Sequence, residues 1–254
     1  MRDRELSLFE HLGELRRRLL VAVVALLIGS GVAFAFFRQI IRWLVRPAQE
    51  LSGGDGSLIF TEVTEMLATS VQVSLVGGVV LASPVILYQV VMFAAPALTS
   101  KERRYLLAFL PGVLLAFASG VAFGYFILAP PALHFLLTFG ADVATPMIRV
   151  SNIVNLMIRL LFWLGMAFET PLVMYLLAQL GIVSARAFSR FRRYWVVVAF
   201  LIAAIITPTI DPVNQALVAV PLLGLYEVGV LLAWVAGRRR RQAPGTVPTV
   251  SRGE

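Results

Sequence analysis

The chain has 254 residues, of which 59% are hydrophobic and only 14% charged, and its mean hydropathy is +0.86. Soluble domains carry about 25% charged residues, so the composition predicts an integral membrane protein, and the net charge of +8 is no argument for a nucleic-acid partner. The absence of cysteine excludes disulfides and thiolate metal sites. The two histidines, His11 and His134, are too far apart in sequence to favour a metal site.

The first predicted element is a cytoplasmic amphipathic segment, residues 1–18. Its leucines recur at helical spacing, and Ser7 and Glu10 fit a capping box. Glu14 and Arg18 are spaced for an i,i+4 ion pair. These local roles account for the two acids among the arginines, but Glu14 has a second interpretation, as a carboxylate that binds a cationic ligand.

Six apolar runs follow, and each predicts a membrane-spanning helix. They are residues 19–37, 66–95, 105–129, 153–180, 195–207 and 213–235. The first run is longer than the apolar core of a signal peptide, so we predict a retained span. The fifth offers about 13 residues, roughly 20 Å of helix against a hydrocarbon core of about 30 Å, which predicts a bilayer thinned around it. Residues 19–236 are thus predicted to form one all-α transmembrane domain.

The basic residues predict the orientation of these spans. With six spans, the two ends and the second and fourth loops share one side, and they hold 17 of the 22 lysines and arginines. Both termini are therefore predicted to be cytoplasmic. Residues 237–254 combine an arginine run with proline, glycine, serine and threonine, which predicts a basic, disordered cytoplasmic tail.

Polar residues inside the spans are candidates for function, because they are costly in a bilayer. Glu169 interrupts the fourth span together with Arg159, and Gln89 and Glu227 are further embedded or interfacial candidates. No hydrolase, nucleotide-binding or zinc-protease motif occurs, so we predict no enzyme. On these residues alone, a proton-coupled small-solute transporter using Glu169 is the leading interpretation, although no internal repeat supports it.

A second acid stands at a predicted membrane entrance. Glu102 lies among three basic residues in the second cytoplasmic loop, and Thr99 and Glu102 again fit a capping box. Two such acids, Glu14 and Glu102, would suit a ligand with two guanidinium groups, because the planar guanidinium binds a carboxylate through two parallel bonds. Further along, Asp211 and Pro212 predict the cap and first residue of the sixth span.

Five stretches in order, HLGELRRRL, SPVILYQVVMFAAPALTSKERR, GYFILAP, FETP and PLLGLYEVGV, resemble the TatC family, the receptor core of the twin-arginine protein translocase. The resemblance covers nearly the whole chain. It implies a glove-shaped, six-helix protein of a prokaryotic cytoplasmic (inner) membrane. It also implies a receptor for signal peptides with paired arginines, and export of folded proteins driven by the proton motive force without a cofactor. The implied partners are TatA- and TatB-type single-span subunits, and self-association in a larger complex.

The resemblance also assigns roles to residues of this chain. It implies signal-peptide binding by Glu14, Glu102, Arg16 and Phe93. It implies an embedded acid at Glu169, sensitive outer-loop positions at Pro47 and Asp211, and partner contacts at Thr207, Gln215 and Tyr125. A charge-assisted hydrogen bond contributes about 1.5–3 kcal/mol, so losing either cytoplasmic acid is expected to weaken peptide recognition roughly tenfold or more. The solute transporter is the alternative.

Overall fold

The computed structural model describes residues 8–51, 58–94, 100–139, 147–207 and 211–242, with the side chains of 8–11, 91, 94, 100–108 and 239–242 left out. The described residues are helical apart from short connections and one isolated parallel bridge between Ile59 and Arg149. The helices are α1 (Leu8–Ala35), α2 (Phe37–Leu51), α3 (Glu65–Ala94), α4 (Ser100–Phe123), a π-helical turn (Gly124–Leu128), α5 (Ala129–Thr138), α6 (Val150–Phe168), α7 (Thr170–Leu180), α8 (Ala185–Ile206) and α9 (Pro212–Gln242).

Successive long helices run in opposite directions. Along the α1–α3 pair, Arg18 bonds to Gln89 at one end, and Ala33 packs against Gly77 toward the other. The same antiparallel relation holds for α4 with α6 and for α8 with α9, whereas α7 is parallel to α9. The start of α1 and the end of α9 therefore share one end of the bundle, which we call the terminal end. The opposite end, where α2 lies, is called the α2 end.

The α1–α3 pair is in backbone contact at two glycines. A Cβ atom on Gly29 would lie 2.8 Å from the carbonyl oxygen of Gly78, and one on Gly78 would lie 2.6 Å from the backbone nitrogen of Ser30. Small residues permit this close approach between helices in a membrane, where packing drives association. The crossing therefore fixes the side chains of α1 relative to those of α3.

The core of the described fold is centred on α6. Val154, Met157, Leu160 and Leu164 on this helix are essentially inaccessible, as is Leu133 of α5. Large leucine, valine and phenylalanine side chains are exposed on the outward faces of the other helices. A bilayer accounts for that distribution, since lipid tails are as apolar as these side chains.

Five described segments are long and apolar enough to cross a membrane. They are Leu12–Ala35, Glu65–Val90, Phe109–Thr138, Val150–Leu180 and Pro212–Arg238. They match five of the six predicted spans. α8 is absent from this group because its first half carries Arg186, Arg190, Arg192 and Arg193.

The predicted fifth span is the apolar second half of a longer helix. The apolar part of α8 is short, but the helix has 22 residues and includes the arginines that we had placed in a loop. At 1.5 Å per residue the whole helix is roughly 33 Å long, but its apolar part, residues 195–206, is roughly 18 Å long, so the thinned bilayer around it stays a prediction. Hydropathy located the apolar part only, since exposed arginines are good helix formers.

Two predictions made near prolines also differ from the structure. The third span was expected to end at 129, but the π-helical turn continues into α5 as far as Thr138. Pro130 and Pro131 occupy the first turn of α5, where a missing N–H is tolerated. Pro47, predicted in an outer loop, lies inside α2 instead.

Candidate functional site

A hydrogen-bonded cluster at the terminal end joins α1 to α3. The guanidinium of Arg18 bonds to the Glu14 carboxylate through Nη2 and also through Nε, at 2.9 Å. Its Nη1 donates to Oε1 of Gln89 at 3.2 Å. The ion pair was predicted from the four-residue spacing, but Gln89 was predicted only as an embedded polar residue. The structure makes it the anchor that ties this pair to a second helix.

Among the described residues, the Glu14 carboxylate is bonded through one oxygen only. Both bonds from Arg18 reach Oε1, and no described residue donates to Oε2. The side chain is 25% exposed and that of Arg18 is 20% exposed. One oxygen therefore fixes the orientation of the carboxylate, and the other is free to accept a bond from a donor outside the described part of the chain.

The other residues predicted at this site are placed less completely. Arg16 is exposed on α1, and Phe93 is half-buried on α3, one turn beyond Gln89 and on the same face. Glu102 lies in the first turns of α4, but its side chain is outside the described residues, as is Thr99 of the predicted capping box. The structure thus brings Glu14 and Gln89 together and leaves the position of the Glu102 carboxylate a prediction.

Glu169 stands at a break between two helices. α6 ends at Phe168 and α7 begins at Thr170, with Pro171 in its first turn, so the helix loses a backbone donor there. The Glu169 side chain is half-buried, and no described residue forms a hydrogen bond or ion pair with it. It lies 19 residues from the start of α6, roughly 28 Å along the axis, and α7 continues for 11 residues beyond it, roughly 16 Å, so Glu169 lies well inside the span. Arg159 is exposed on the same helix, well short of Glu169.

Glu227 is already ion-paired. Its Oε1 lies 2.7 Å from Nε of Arg192 on α8, and both side chains are about half exposed. Glu227 thus joins α8 to α9 through an ion pair, within the candidate span Pro212–Arg238, and its interpretation as an embedded or interfacial acid stays a prediction. Nearby, the Tyr226 hydroxyl donates to the carbonyl of Phe188 at 2.8 Å, which closes the same helix pair.

Two predicted residues, Pro47 and Tyr125, act together at the α2 end. Pro47 has no N–H, so the carbonyl of Trp43, four residues earlier, loses its helical donor. The Tyr125 hydroxyl donates to that carbonyl at 3.0 Å, and its ring stacks on Trp43 with centroids 3.9 Å apart. Tyr125 is only 7% exposed. Tyr125 thus supports α2 from inside the chain, and its predicted role as a partner contact stays a prediction.

The start of α9 confirms the predicted cap. Asp211 Oδ1 accepts from the backbone N–H of Asn214 at 2.7 Å, and Pro212 is the first residue of the helix. Thr207, predicted as a partner contact, is buried and donates to the carbonyl of Ala203 at 2.9 Å. Gln215 is half-buried one turn into α9. Of the two predicted contacts here, Gln215 presents the more accessible side chain.

Glu65 was missed by the sequence analysis. This 9% exposed carboxylate accepts from the backbone N–H of Thr61 at 2.8 Å and of Ser151, in the first turn of α6, at 3.3 Å. The neighbouring Ile59–Arg149 bridge ties the same two segments together. An acid before an apolar run indicates only a helix start, so the sequence gives no signal for a contact across 86 residues.

These features define the class of protein: a helical membrane protein with an ion-paired carboxylate at its terminal end and a separate acid inside a span. The described residues contain no group of three histidines or acids that could hold a metal ion. The family model of the Sec-independent protein translocase protein TatC matches residues 10–221. The chain therefore belongs to the TatC family.

Individual relatives are similar in sequence to this chain along nearly its whole length. The TatC protein of Aquifex aeolicus is 41% identical over 239 residues, which cover 93% of this chain and 98% of that protein. The TatC protein of Carboxydothermus hydrogenoformans is 37% identical over 233 residues, which cover 92% of this chain and 95% of that protein. A crystal structure of the twin-arginine translocase receptor TatC superimposes with a TM-score of 0.80 at 41% identity, covering 89% of this chain and 99% of that one. These matches favour the translocase over the solute transporter.

Proposed function

We propose that this chain is the receptor subunit of a twin-arginine translocase and that it binds the paired arginines of a signal peptide at its terminal end. The observation that carries the proposal is the one-sided bonding of Glu14, whose Oε1 is held by Arg18 while Oε2 has no described donor. Oε2 is available to a guanidinium of the peptide, and Arg18 has to release Oε1 before that guanidinium can bind the carboxylate through both oxygens. Glu102 is proposed as the second acid.

The membrane arrangement that we propose has six spans, with α8 as the fifth, and a glove-shaped concave surface. Both termini lie in the cytoplasm, which places the terminal end on the side from which signal peptides arrive. The arginine distribution supports this orientation. TatA- and TatB-type single-span subunits are the proposed partners, with Gln215 and Asp211 near their contact, and the assembled complex contains several copies of this chain.

Peptide discrimination tests the function directly. The purified chain in lipid nanodiscs is expected to bind a labelled signal peptide with Arg-Arg more tightly than the same peptide with Lys-Lys, because an ammonium group does not form the bidentate bond. Equal affinities for the two peptides would contradict a site that recognises guanidinium groups.

Arg18 is expected to compete with the incoming peptide for Glu14. Replacing it, Arg18→Gln, frees Oε1, and the affinity for the Arg-Arg peptide is expected to rise about two- to fivefold, since a partly exposed ion pair contributes roughly 0.3–1 kcal/mol. The change is measured by fluorescence anisotropy in nanodiscs. Arg17→Gln is the matched control, because it removes the same charge from an exposed neighbour that has no described bond. If both variants raise the affinity equally, net charge and not the ion pair is responsible.

Glu169 is proposed to contact a polar part of the inserted signal peptide or of a partner helix. Its half-buried carboxylate has no described partner and stands at a helix break inside the span Val150–Leu180. A photocrosslinking residue at position 169 is expected to capture signal peptide when substrate is present. The control is the same probe at Val173, an exposed position one turn away. Crosslinks at 169 that reach only lipid or the chain itself would exclude the contact.

A further inference from the structure

A cleft opens at the α2 end between α2 and the first turns of α3. Its volume is about 700 Å³, which is in the range of small-molecule sites. Apolar side chains from both helices line it, together with two arginines of α2; they are Phe37, Ile41, Met66 and Leu67 with Arg38 and Arg42. The cleft therefore combines positive charge with apolar surface.

Neither arginine of the cleft is neutralised by the described residues. Arg46, one turn further along the same face, pairs with Glu50 at 2.7 Å. Arg42, by contrast, donates through Nε only to the backbone carbonyl of Arg38, at 3.2 Å, and no described carboxylate pairs with either residue. The buried acid of this region, Glu65, already accepts bonds from two backbone N–H groups. The guanidiniums are left to bind an anion.

The cleft lies at the depth of the membrane–water boundary. α1 ends at Ala35 and α3 begins at Glu65, so two apolar spans meet the cleft at their ends. Phe34 and Val71 beside it are exposed large apolar side chains. In the orientation proposed above, this is also the side on which arginines are usually depleted. Two unpaired arginines there need a local partner.

We propose that this cleft binds an anionic phospholipid. The guanidiniums of Arg38 and Arg42 hold the headgroup phosphate, and the acyl chains lie along Ile41, Met66 and Leu67. Arginine binds phosphate oxygens in a bidentate manner, and basic pockets between membrane helices are suited to anionic headgroups. An acidic protein segment would satisfy the arginines but not the apolar lining, and a free phosphate ion would not use that lining either.

Lipid retention measured by native mass spectrometry tests the site. The detergent-purified chain, supplied with equimolar phosphatidylglycerol and phosphatidylcholine, is expected to retain phosphatidylglycerol preferentially. The double variant Arg38→Gln/Arg42→Gln is expected to lose this preference by roughly tenfold or more. Arg46→Gln is the matched control: it lies on the same helix face, but its partner is Glu50, so it should retain the lipid as the unmodified chain does.

A second variant and a competitor make the test independent of the double substitution. Leu67→Glu leaves both arginines in place but adds a carboxylate to the cleft, and it too is expected to lower phosphatidylglycerol retention. Inorganic phosphate at millimolar concentration is expected to leave the bound lipid in place. Equal retention of the two lipids by the unmodified chain, an unaffected double variant, or displacement of the lipid by inorganic phosphate would each overturn the proposal.

Discussion

Replacing both terminal-end acids, Glu14→Gln and Glu102→Gln, is expected to reduce the affinity for an Arg-Arg signal peptide roughly a hundredfold. Each charge-assisted bond contributes about 1.5–3 kcal/mol of binding free energy, which corresponds to a change in affinity of about tenfold or more. The two free energies add if the acids bind different arginines of the peptide. The affinity for the Lys-Lys peptide is expected to fall much less, so the double variant should no longer prefer the Arg-Arg peptide. Binding in nanodiscs measures both quantities.

The control for this double variant is Glu50→Gln. Glu50 is also an acid on a helix surface and is paired with Arg46 across four residues, but it lies at the opposite end of the bundle. Its loss should leave peptide affinity unchanged. A Glu14→Gln/Glu102→Gln protein that binds the Arg-Arg peptide like the unmodified chain would remove these acids from the proposed site, and Glu102 would be left with the helix-cap role that its spacing from Thr99 predicts.

Removing the Tyr125 hydroxyl, Tyr125→Phe, is expected to destabilise the protein by about 1–3 kcal/mol, because the Trp43 carbonyl is left without the donor of a part-buried hydrogen bond. The ring stack of Tyr125 on Trp43 should survive. Pro47→Ala restores a backbone N–H four residues after Trp43. In the Pro47→Ala background the same Tyr125→Phe change is therefore expected to lower the free energy of unfolding much less. Unfolding of the four proteins in detergent micelles gives the coupling between the two positions.

A matched control for the hydroxyl is Tyr175→Phe. Tyr175 also stacks on an aromatic ring, Phe109, with centroids 5.4 Å apart, but no described hydrogen bond involves its hydroxyl. This change should alter stability little. If the changes in unfolding free energy caused by Tyr125→Phe and Pro47→Ala simply add in the double variant, the link between the proline and the tyrosine hydroxyl is refuted.

Local sequence patterns predicted local features well. The Glu14–Arg18 pair and the Asp211 cap depend on spacings of three or four residues, and both are present. The start of α3 was predicted within one residue, because an apolar run begins there. By contrast, α8 begins ten residues before the predicted span, since hydropathy reports where a helix is apolar and not where it is helical.

Contacts between distant segments could not be predicted. The bond from Arg18 to Gln89 spans 71 residues and depends on the α1–α3 crossing at Gly29 and Gly78. The glycines are visible in the sequence, but the partner of each is not. Likewise, the resemblance singled out Pro47 as a sensitive position and Tyr125 as a partner contact, yet only the structure shows that the Trp43 carbonyl, which Pro47 leaves without a helical donor, accepts a bond from Tyr125.

The Glu65 contact has a consequence for how the chain is made. Its acceptor is synthesised 86 residues before its donor at Ser151, which corresponds to roughly 4–17 s at about 5–20 residues per second. During that interval α3 is synthesised, and Glu65 has the N–H of Thr61 as a donor but lacks that of Ser151 in α6. The segments joined by Glu65 and Ser151 can pair only once α6 has been synthesised. Insertion of α6 therefore completes the packing of the first half of the protein.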